Sequence, residues 1–573
     1  MNVPKKKEEI KMKKILSLML MLAMLCMATG AMADTFAAEA QGNNGPVKVE
    51  VDVQDGAVTA VRVTEHKETA GIADAPIEKI PAAIVETQSL NIDVIASATN
   101  TSNAILNAAA AALTEAGIDA EAWKTKEVAA DAPVAKTEDI TVKTVVVGAG
   151  GAGMKTAIDL TKAGHDVLLI EKQSMVGGAT TLSATYLVVM ETQQQKDAGV
   201  ATMSIEDYVA KQLKLNPDFN AERLTAMFKD SQNILDWFLN IGADFTRPMS
   251  YYQIGTSDGS SLGVEMVSKM KAELEKTGVN YRLNTKAVSL IEENGAIKGI
   301  VAEDEGGQYN IYAENIVMAT GGYGASQEAI AKYSPKWTGI PSTTAAGNTG
   351  DGHAMLEAVG ADLEQIDNVR LNPSVCTTGG AAVSLSAART AGAIMVNTNG
   401  ERFCDEYITD YTTLSGHMQA QEGGMCYLVM DQVSIDSSKR LQGFVETGYI
   451  QKAETIEELA AIIGAPVENL KKTLEVYGGY VKNEKDEAFG RTMYMNTALE
   501  TAPYYAAHTQ PGVQVTLGGI KVNDTLNVVK TDGTVIENVY AIGELAGDGL
   551  FGGAPTTIKI FEGGQVAAQI LAK

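Results

Sequence analysis

With 71 acidic against 46 basic residues in 573, a formal charge of −25, the surface repels nucleic acid and anionic lipid, and neither is an expected partner. The length asks for about two or three domains, each with a core of its own. The cysteines, Cys26, Cys376, Cys404 and Cys426, form no CxxC or CxxCH pattern, which argues against metal clusters and c-type haem.

The chain opens like an export signal. Lysines from Lys5 to Lys14 precede the apolar run Ile15 to Ala28, and Ala31-Met32-Ala33 offers small residues for cleavage before Asp34. The run of roughly 14 residues is short of the about 20 that a membrane span requires. Residues 1–33 therefore read as an export signal, which places the mature protein outside the cytoplasm, secreted or at the cell surface. Cys26 admits a lipoprotein reading, but Leu25 is large for that processing.

A small α+β domain is expected over 45–118. Val47 to Val53 alternates, meets Asp55-Gly56 as a hairpin turn and returns through Ala57 to Val63. Downstream, Asp93 and Ala96-Ser97-Ala98-Thr99 lead into an Ala-rich helix over Ala104 to Ala116. This stretch resembles the FMN-binding domains whose flavin hangs on a threonine by a phosphoester. The family motif runs Asp, a short spacer, Ser-Gly-Ala-Thr, so Asp93, Ala98 and Thr99 match while Ser97 replaces the glycine. The resemblance implies covalent FMN on Thr99, attached by a flavin transferase. A hydroxyl at a helix start also suits a phosphate on physical grounds. A mixed Ala, Pro, Lys and Asp segment, 119–140, reads as a linker that keeps one carrier at high effective concentration near its partner.

The most informative stretch follows. Val145 to Val147 is a β-branched run suited to a buried parallel strand, and Gly148-x-Gly150-x-x-Gly153 opens a helical pattern at once. Glu171 ends the next strand about 20 residues on, where a carboxylate accepts from a ribose hydroxyl. Strand, glycines, helix, second strand and acid together specify a dinucleotide site.

From Ile140 to the end the chain resembles the flavoprotein subunit of the fumarate reductase and flavocytochrome c family. Matching segments are Val176-Gly-Gly-Ala-Thr-Thr-Leu-Ser183, Ala319-Thr-Gly-Gly322, Thr349-Gly-Asp-Gly352, Asn397 to Glu406 as NxxGxRFxxE, Gly518-Gly519, and Tyr540-Ala-Ile-Gly-Glu544. The resemblance implies an α/β fold: a Rossmann-like FAD-binding domain over 141–367 and 509–573, interrupted by an α+β capping domain over 368–508. It places FAD, held without a covalent bond, on Gly148, Gly150, Gly151, Ala152, Gly153, Glu171, Lys172, Gly178, Ala179, Thr180, Thr181, Ala287, Thr320, Gly321, Gly322, Asp351, Gly543 and Glu544.

The substrate-binding residues depart from that family. Its entrance histidine is Asn372-Pro373, its proton-path glutamate is Ser386 with the arginine kept as Arg389, and its proton-delivering arginine aligns with Asp410 or, one residue on, Tyr411. Its His-His-Thr stretch is Gln514-Val-Thr516, and its last arginine is Thr556. Two substrate carboxylates without cations would be uncompensated, so fumarate is not the expected acceptor. A less polar pocket is expected, for an enone or enoate reduced by hydride with a protein acid supplying the proton. Tyr411 is the first candidate acid, with Arg389, Asp410 and Arg402 beside it. Arg402 and Glu406 also read as a structural pair, His353, which follows TGDG, as a residue packed near the flavin, and His417, His508, Tyr251 and Tyr252 as pocket residues without a motif. The expected electron route is membrane donor, FMN, FAD, unsaturated small-molecule acceptor. The alternatives are a ketosteroid-type flavin dehydrogenase and an electron carrier without a substrate of its own.

Overall fold

The computed structural model describes residues 33–573 except 44, 69–72, 96–97, 127–136, 184–185, 216, 218, 379–381, 409, 548, 550–555 and 573. The export signal, with Cys26 and its cleavage site, lies outside the described residues apart from its last residue. Ala96-Ser97, the middle of the linker and the Gly552 to Pro555 turn also lie outside them. Among the described residues no helix is long and apolar enough to cross a membrane.

At the N-terminal end, Asp34–Gln41, Pro46–Gln54 and Ala57–Glu65 form an antiparallel sheet in that order. The hairpin between the last two is built on Asp55 (φ +52°) and Gly56 (φ +81°), the left-handed pair that matches strand twist. Val47, Val49 and Val51 point inward at 0% exposure, while Lys48, Glu50 and Asp52 between them face outward. Asp74–Thr87 and the Ala-rich helix Thr99–Glu115 cover the inner face. The strand Asp34–Gln41 has no counterpart among the sequence expectations: in DTFAAEAQ only Thr35 and Phe36 favour a strand, and pairing with Pro46–Gln54 decides its form.

The main body holds an eight-stranded sheet. Its centre is parallel: Gly307–Met318, Ile140–Val147, Val167–Ile170 and Asn280–Arg282 lie side by side, with Val535–Ala541 on the other flank of Gly307–Met318. Val145, Val146, Leu168, Leu169 and Ile170 are all at 0% exposure, as a strand covered on both faces requires. The helices Gly151–Lys162, Leu262–Thr277 and Thr556–Leu571 pack on one face of it.

The inserted segment has its own sheet, ordered Val383–Ser384, Val369–Cys376, Tyr504–Thr516, Cys426–Asp431, Ile394–Val396. Its two longest strands are also the chain's way out of the flavin-type body and back. Val369 pairs with Thr516, Arg370 with Val515 and Asn372 with Gly512, with register shifts at Arg370/Leu371 and across Asn372/Val375. Pro373, which has no N–H to give the ladder, sits inside the second irregularity. The expected boundary at 508/509 thus falls within a paired strand and not in a loop.

A buried ion network braces the insertion. Arg402 donates to both Glu406 carboxylate oxygens at 2.7 and 2.8 Å and to Asp486 at 2.9 Å, and Arg491 donates to Glu406 at 3.0 Å. Glu406 and Arg491 are at 0% and 1% exposure, so the charges are mutually compensated out of contact with water.

Candidate flavin and substrate site

The strand Ile140–Val147 ends in Gly148 at φ +103°, a conformation that favours glycine, and the helix Gly151–Lys162 starts three residues later. A Cβ on Gly153 would stand 1.9 Å from the Gly148 carbonyl oxygen, and one on Gly148 2.4 Å from that of Ala319. These glycines are needed for contact within the protein. Gly150 differs: its Cβ would meet nothing nearer than the Gly177 oxygen at 4.0 Å. That open space above a helix N-terminus is the cradle a pyrophosphate occupies.

The other expected cofactor residues converge on this edge. Glu171 accepts from the Ala149 and Gln173 amides, both at 2.8 Å, and burial pushes its carboxyl up. Ala287, 7% exposed, follows Thr285, whose amide donates to the Glu171 carbonyl at 2.8 Å. Lys172 donates to Thr349 at 2.6 Å and Asp351 at 2.8 Å, tying the TGDG segment to the second strand. Gly178, Ala179, Thr180 and Thr181 form a 3-10 turn whose Thr180 hydroxyl accepts from the Gly151 amide at 3.1 Å. Ala152 lies in the first turn of the glycine-rich helix. Thr320 keeps a buried hydroxyl without a partner among the described residues, beside Gly321 and Gly322. Glu544, after Gly543, is half-buried, and desolvation raises its carboxyl; it accepts from the Thr516 amide at 2.9 Å and from Asn348 at 3.0 Å. The glycine cradle and the unpartnered threonine fit FAD.

Thr99 is the first residue of Thr99–Glu115 and is exposed, with Asp93 exposed nearby. The turn before it is fixed by Ser102, whose hydroxyl accepts from the Ile95 amide at 3.0 Å, and by Thr101, which donates to the Glu68 carboxylate. Asn100 hydrogen-bonds Asn43 at 3.1 Å. An accessible hydroxyl on a rigid helix start fits a phosphoester to FMN.

The insertion contributes a second constellation. Tyr411 is the first residue of the helix Tyr411–Gln419, and Asp410 is its cap, accepting from the Thr412 and Thr413 amides at 3.3 and 3.1 Å. Asp410 is therefore occupied structurally, and of the two residues aligned with the family's arginine it is Tyr411 that meets the retained arginine. The Arg389 guanidinium carbon lies 4.8 Å from its ring centroid and that of Arg370 5.5 Å, cation–π distances on one phenol. Nε of each arginine is buried without a partner among the described residues. Arg402 belongs to the Glu406–Asp486 network and not to this cluster. Asn372 donates to Ser384 at 2.7 Å, and Ser384 lies 3.0 Å from Ser386, so a neutral amide–hydroxyl chain stands where the family carries a histidine and a glutamate.

Arg370 is the residue that sequence reasoning missed. It lies two residues before Asn372-Pro373 in a strand with no motif, and it places a second guanidinium beside Tyr411 where the sequence offered one.

The remaining candidates take lesser places. His508 packs edge-on against Tyr427 at 5.6 Å. His417 lies in the last turn of the Tyr411 helix. His353 is fully buried between Tyr323 and Tyr333, at 5.5 and 5.8 Å. Burial pulls its imidazole down to about 4, against a smaller raising influence from Glu357 and alongside a lowering one from Lys332. A depressed histidine favours the fold while neutral, so its contribution is complete above about pH 6.5 and is lost as pH falls toward 4, up to about 3 kcal/mol. Replacing His353 by Leu is expected to flatten this part of the profile: between pH 7.5 and 5, melting followed by circular dichroism should shift less in H353L than in the parent.

The family model described as FAD binding domain matches residues 143–556, and that described as FMN-binding domain matches 42–114. A probable fumarate reductase of Shewanella frigidimarina is 31% identical, with 71% of this chain and 70% of that one covered. This chain is a fumarate reductase-like flavoprotein with an FMN-binding domain. The flavoprotein is also 30% identical to a urocanate reductase of Eggerthella lenta, over 91% of this chain and 88% of that one. An NADH:acrylate oxidoreductase of Vibrio harveyi is 28% identical over 93% of this chain, which spans 60% of that relative's length. Among solved structures, the open conformation of a flavocytochrome c3 fumarate reductase matches with TM-score 0.67 and 29% identity, over 76% of this chain and 78% of that one. A 3-ketosteroid delta1-dehydrogenase of Sterolibacterium denitrificans matches with TM-score 0.63 at 20% identity over 75% of this chain and 99% of that one, a likeness of fold alone. Family membership makes the flavoprotein an FAD-dependent oxidoreductase of the kind that acts on C=C bonds.

Proposed function

We propose that this flavoprotein is an exported reductase of 2-enoates carrying one carboxylate, with electrons entering from a membrane donor through FMN on Thr99 and passing to FAD. The observation that carries the reading is the single phenol, Tyr411, flanked by two guanidiniums whose buried Nε groups have no partner among the described residues. Both cations stand on one ring, so they form one anion receptor and not the two that a dicarboxylate needs. Fumarate, urocanate and acrylate, named for the relatives, are all 2-enoates, which favours an enoate over an enone.

Bound reduced FAD supplies a hydride to the carbon remote from the carboxylate. Arg370 and Arg389 hold the carboxylate and compensate the charge that this addition pushes onto its oxygens. Tyr411 then gives its hydroxyl proton to the carbon next to the carboxylate. Two electrons and two protons thus turn the C=C bond into CH–CH, the second proton having arrived as part of the hydride. The neutral Asn372–Ser384–Ser386 chain orients the site without adding charge.

Flavin chemically reduced without oxygen should be reoxidised by propenoate-type acids far faster than by fumarate or simple enones. Silence toward every enoate overturns the reading in favour of an electron carrier, and flavin reduction by saturated 3-ketosteroids overturns it in favour of a dehydrogenase. The entry point has a separate check. The mass of the mature protein should include one FMN less water, and Thr99→Ala should lose that increment while keeping FAD. An unchanged increment in T99A places the attachment elsewhere.

A further inference from the structure

We propose that Gln514 is the positioning residue of the anion receptor: its side-chain carbonyl receives the Nε–H of Arg370 and so aims the guanidinium fork at the acceptor's carboxylate. This rests on the enoate reading above and deepens it.

The strand ladder sets the two side chains against each other. Arg370 pairs with Val515, whereas its neighbour Leu371 pairs with Val513. Gln514 is therefore the extra residue of a bulge and, together with Val515, opposes Arg370 alone. Leu371 and Val513 are at 0% exposure and pack with Val369 on Tyr323 and Trp337. Arg370 and Gln514, which alternate with them, turn to the other face. There the Arg370 guanidinium meets Tyr411, the first residue of a helix packed on this strand.

The chemistry of the unpartnered atoms selects the pairing. On this ladder and the two helices beside it, six buried polar atoms have no partner among the described residues: Asn368 Nδ2, Arg370 Nε, Ser374 Oγ, Arg389 Nε, Ser415 Oγ and Gln514 Oε1. The three nitrogens can only donate, and the serine hydroxyls can do either. Gln514 Oε1 alone can only accept. Leaving a charged donor unpaired out of water is costly, and an amide supplies the acceptor without adding a charge. With Nε–H given to Gln514, the guanidinium presents its two Nη groups as a fork for one carboxylate. A carboxylate at position 514 would cancel the cation; the neutral amide leaves it whole for the ligand. The backbone around Gln514 is held on both sides. Thr516 donates to Glu544 at 2.9 and 3.0 Å, and the Val513 amide donates to the Pro341 carbonyl at 2.8 Å. Gln514 is thus an anchored acceptor against which a long, flexible side chain is set.

The test uses the full chain loaded with both flavins and follows the FAD absorbance as propanoate or propanamide is added, two unreactive ligands that differ in charge. Propanoate should bind at least about tenfold tighter than propanamide in the parent, and Gln514→Met or Gln514→Leu should remove that advantage while leaving propanamide as it was. Melting temperature and FAD content equal to the parent's show that these variants fold. Turnover of the best enoate should show KM raised at least about tenfold with kcat within about threefold, the opposite of a proton donor. The double variant R370Q/Q514M should bind propanoate no more weakly than R370Q alone, because aiming a side chain has no value once that side chain is gone. Additive losses in the double variant, or equal weakening of both ligands by Gln514→Met, overturn the proposal, and enoate turnover by the parent then leaves the broader reading standing. Propanoate that binds no better than propanamide in the parent removes the anion receptor and this proposal with it. Coupled losses without turnover of any enoate keep Gln514 in its role and overturn the enoate reading.

Discussion

Replacing Tyr411 by phenylalanine should lower kcat for the best enoate by about 10²- to 10⁴-fold and leave KM nearly unchanged. The substitution removes one oxygen. The ring remains between Arg370 and Arg389 at the distances that hold it, 5.5 and 4.8 Å, so the anion receptor keeps its shape. A loss confined to kcat is the mark of a group that acts in the transition state and not in binding. Hydride transfer is untouched in this variant, so protonation becomes the slow step and solvent deuterium should slow Y411F at least as much as the parent. Full activity in Y411F would remove Tyr411 from the mechanism. Arg370→Gln and Arg389→Gln should behave differently, raising KM along with lowering kcat, because they hold the ground-state carboxylate as well.

The second large effect separates two glycines of one motif. Gly150→Val should yield a folded protein that has lost FAD, with affinity down by at least about 100-fold, roughly 3 kcal/mol, and any FMN on Thr99 retained. Its backbone, at φ −73°, suits any residue, and its Cβ direction is open to 4.0 Å, so only a ligand stands in the way. Gly153→Ala should instead damage the fold, since its Cβ would lie 1.9 Å from a backbone oxygen that has no room to move. Flavin content by absorbance and melting temperature read the two outcomes independently. A G150V protein that purifies with full FAD would show that the cradle lies elsewhere.

Much of this site could be read from local patterns. The glycine turn, Glu171, the TGDG segment and the Gly543-Glu544 wall are each encoded within a few neighbouring residues, because backbone geometry and close approach restrict which side chains are allowed there. The structure then joins them through Ala149, Lys172 and Asn348. What could not be read depends on contacts distant in sequence. Arg491 and Asp486 meet Glu406 and Arg402 across more than 80 positions with no periodicity to announce them. Arg370 is the same case, one cation in a strand whose meaning comes from a helix start 41 positions later in the chain. The choice between Asp410 and Tyr411 turned on where that helix begins: a carboxylate beside free amides becomes a cap, and the next side chain is left to face the arginines.

The two strands joining the insertion to the flavin-type body have a mechanical consequence. Arg370 and Asn372 sit on one strand and Gln514 and Thr516 on the other, and the ladder between them is interrupted at the positions that carry the anion receptor. Any swing of the insertion must twist this ribbon, so it cannot pivot on slack peptide. If Arg370 holds the acceptor's carboxylate as proposed, its capture and the angle of the insertion are expected to be coupled through this ribbon, and a molecule without a negative charge should leave that angle unchanged.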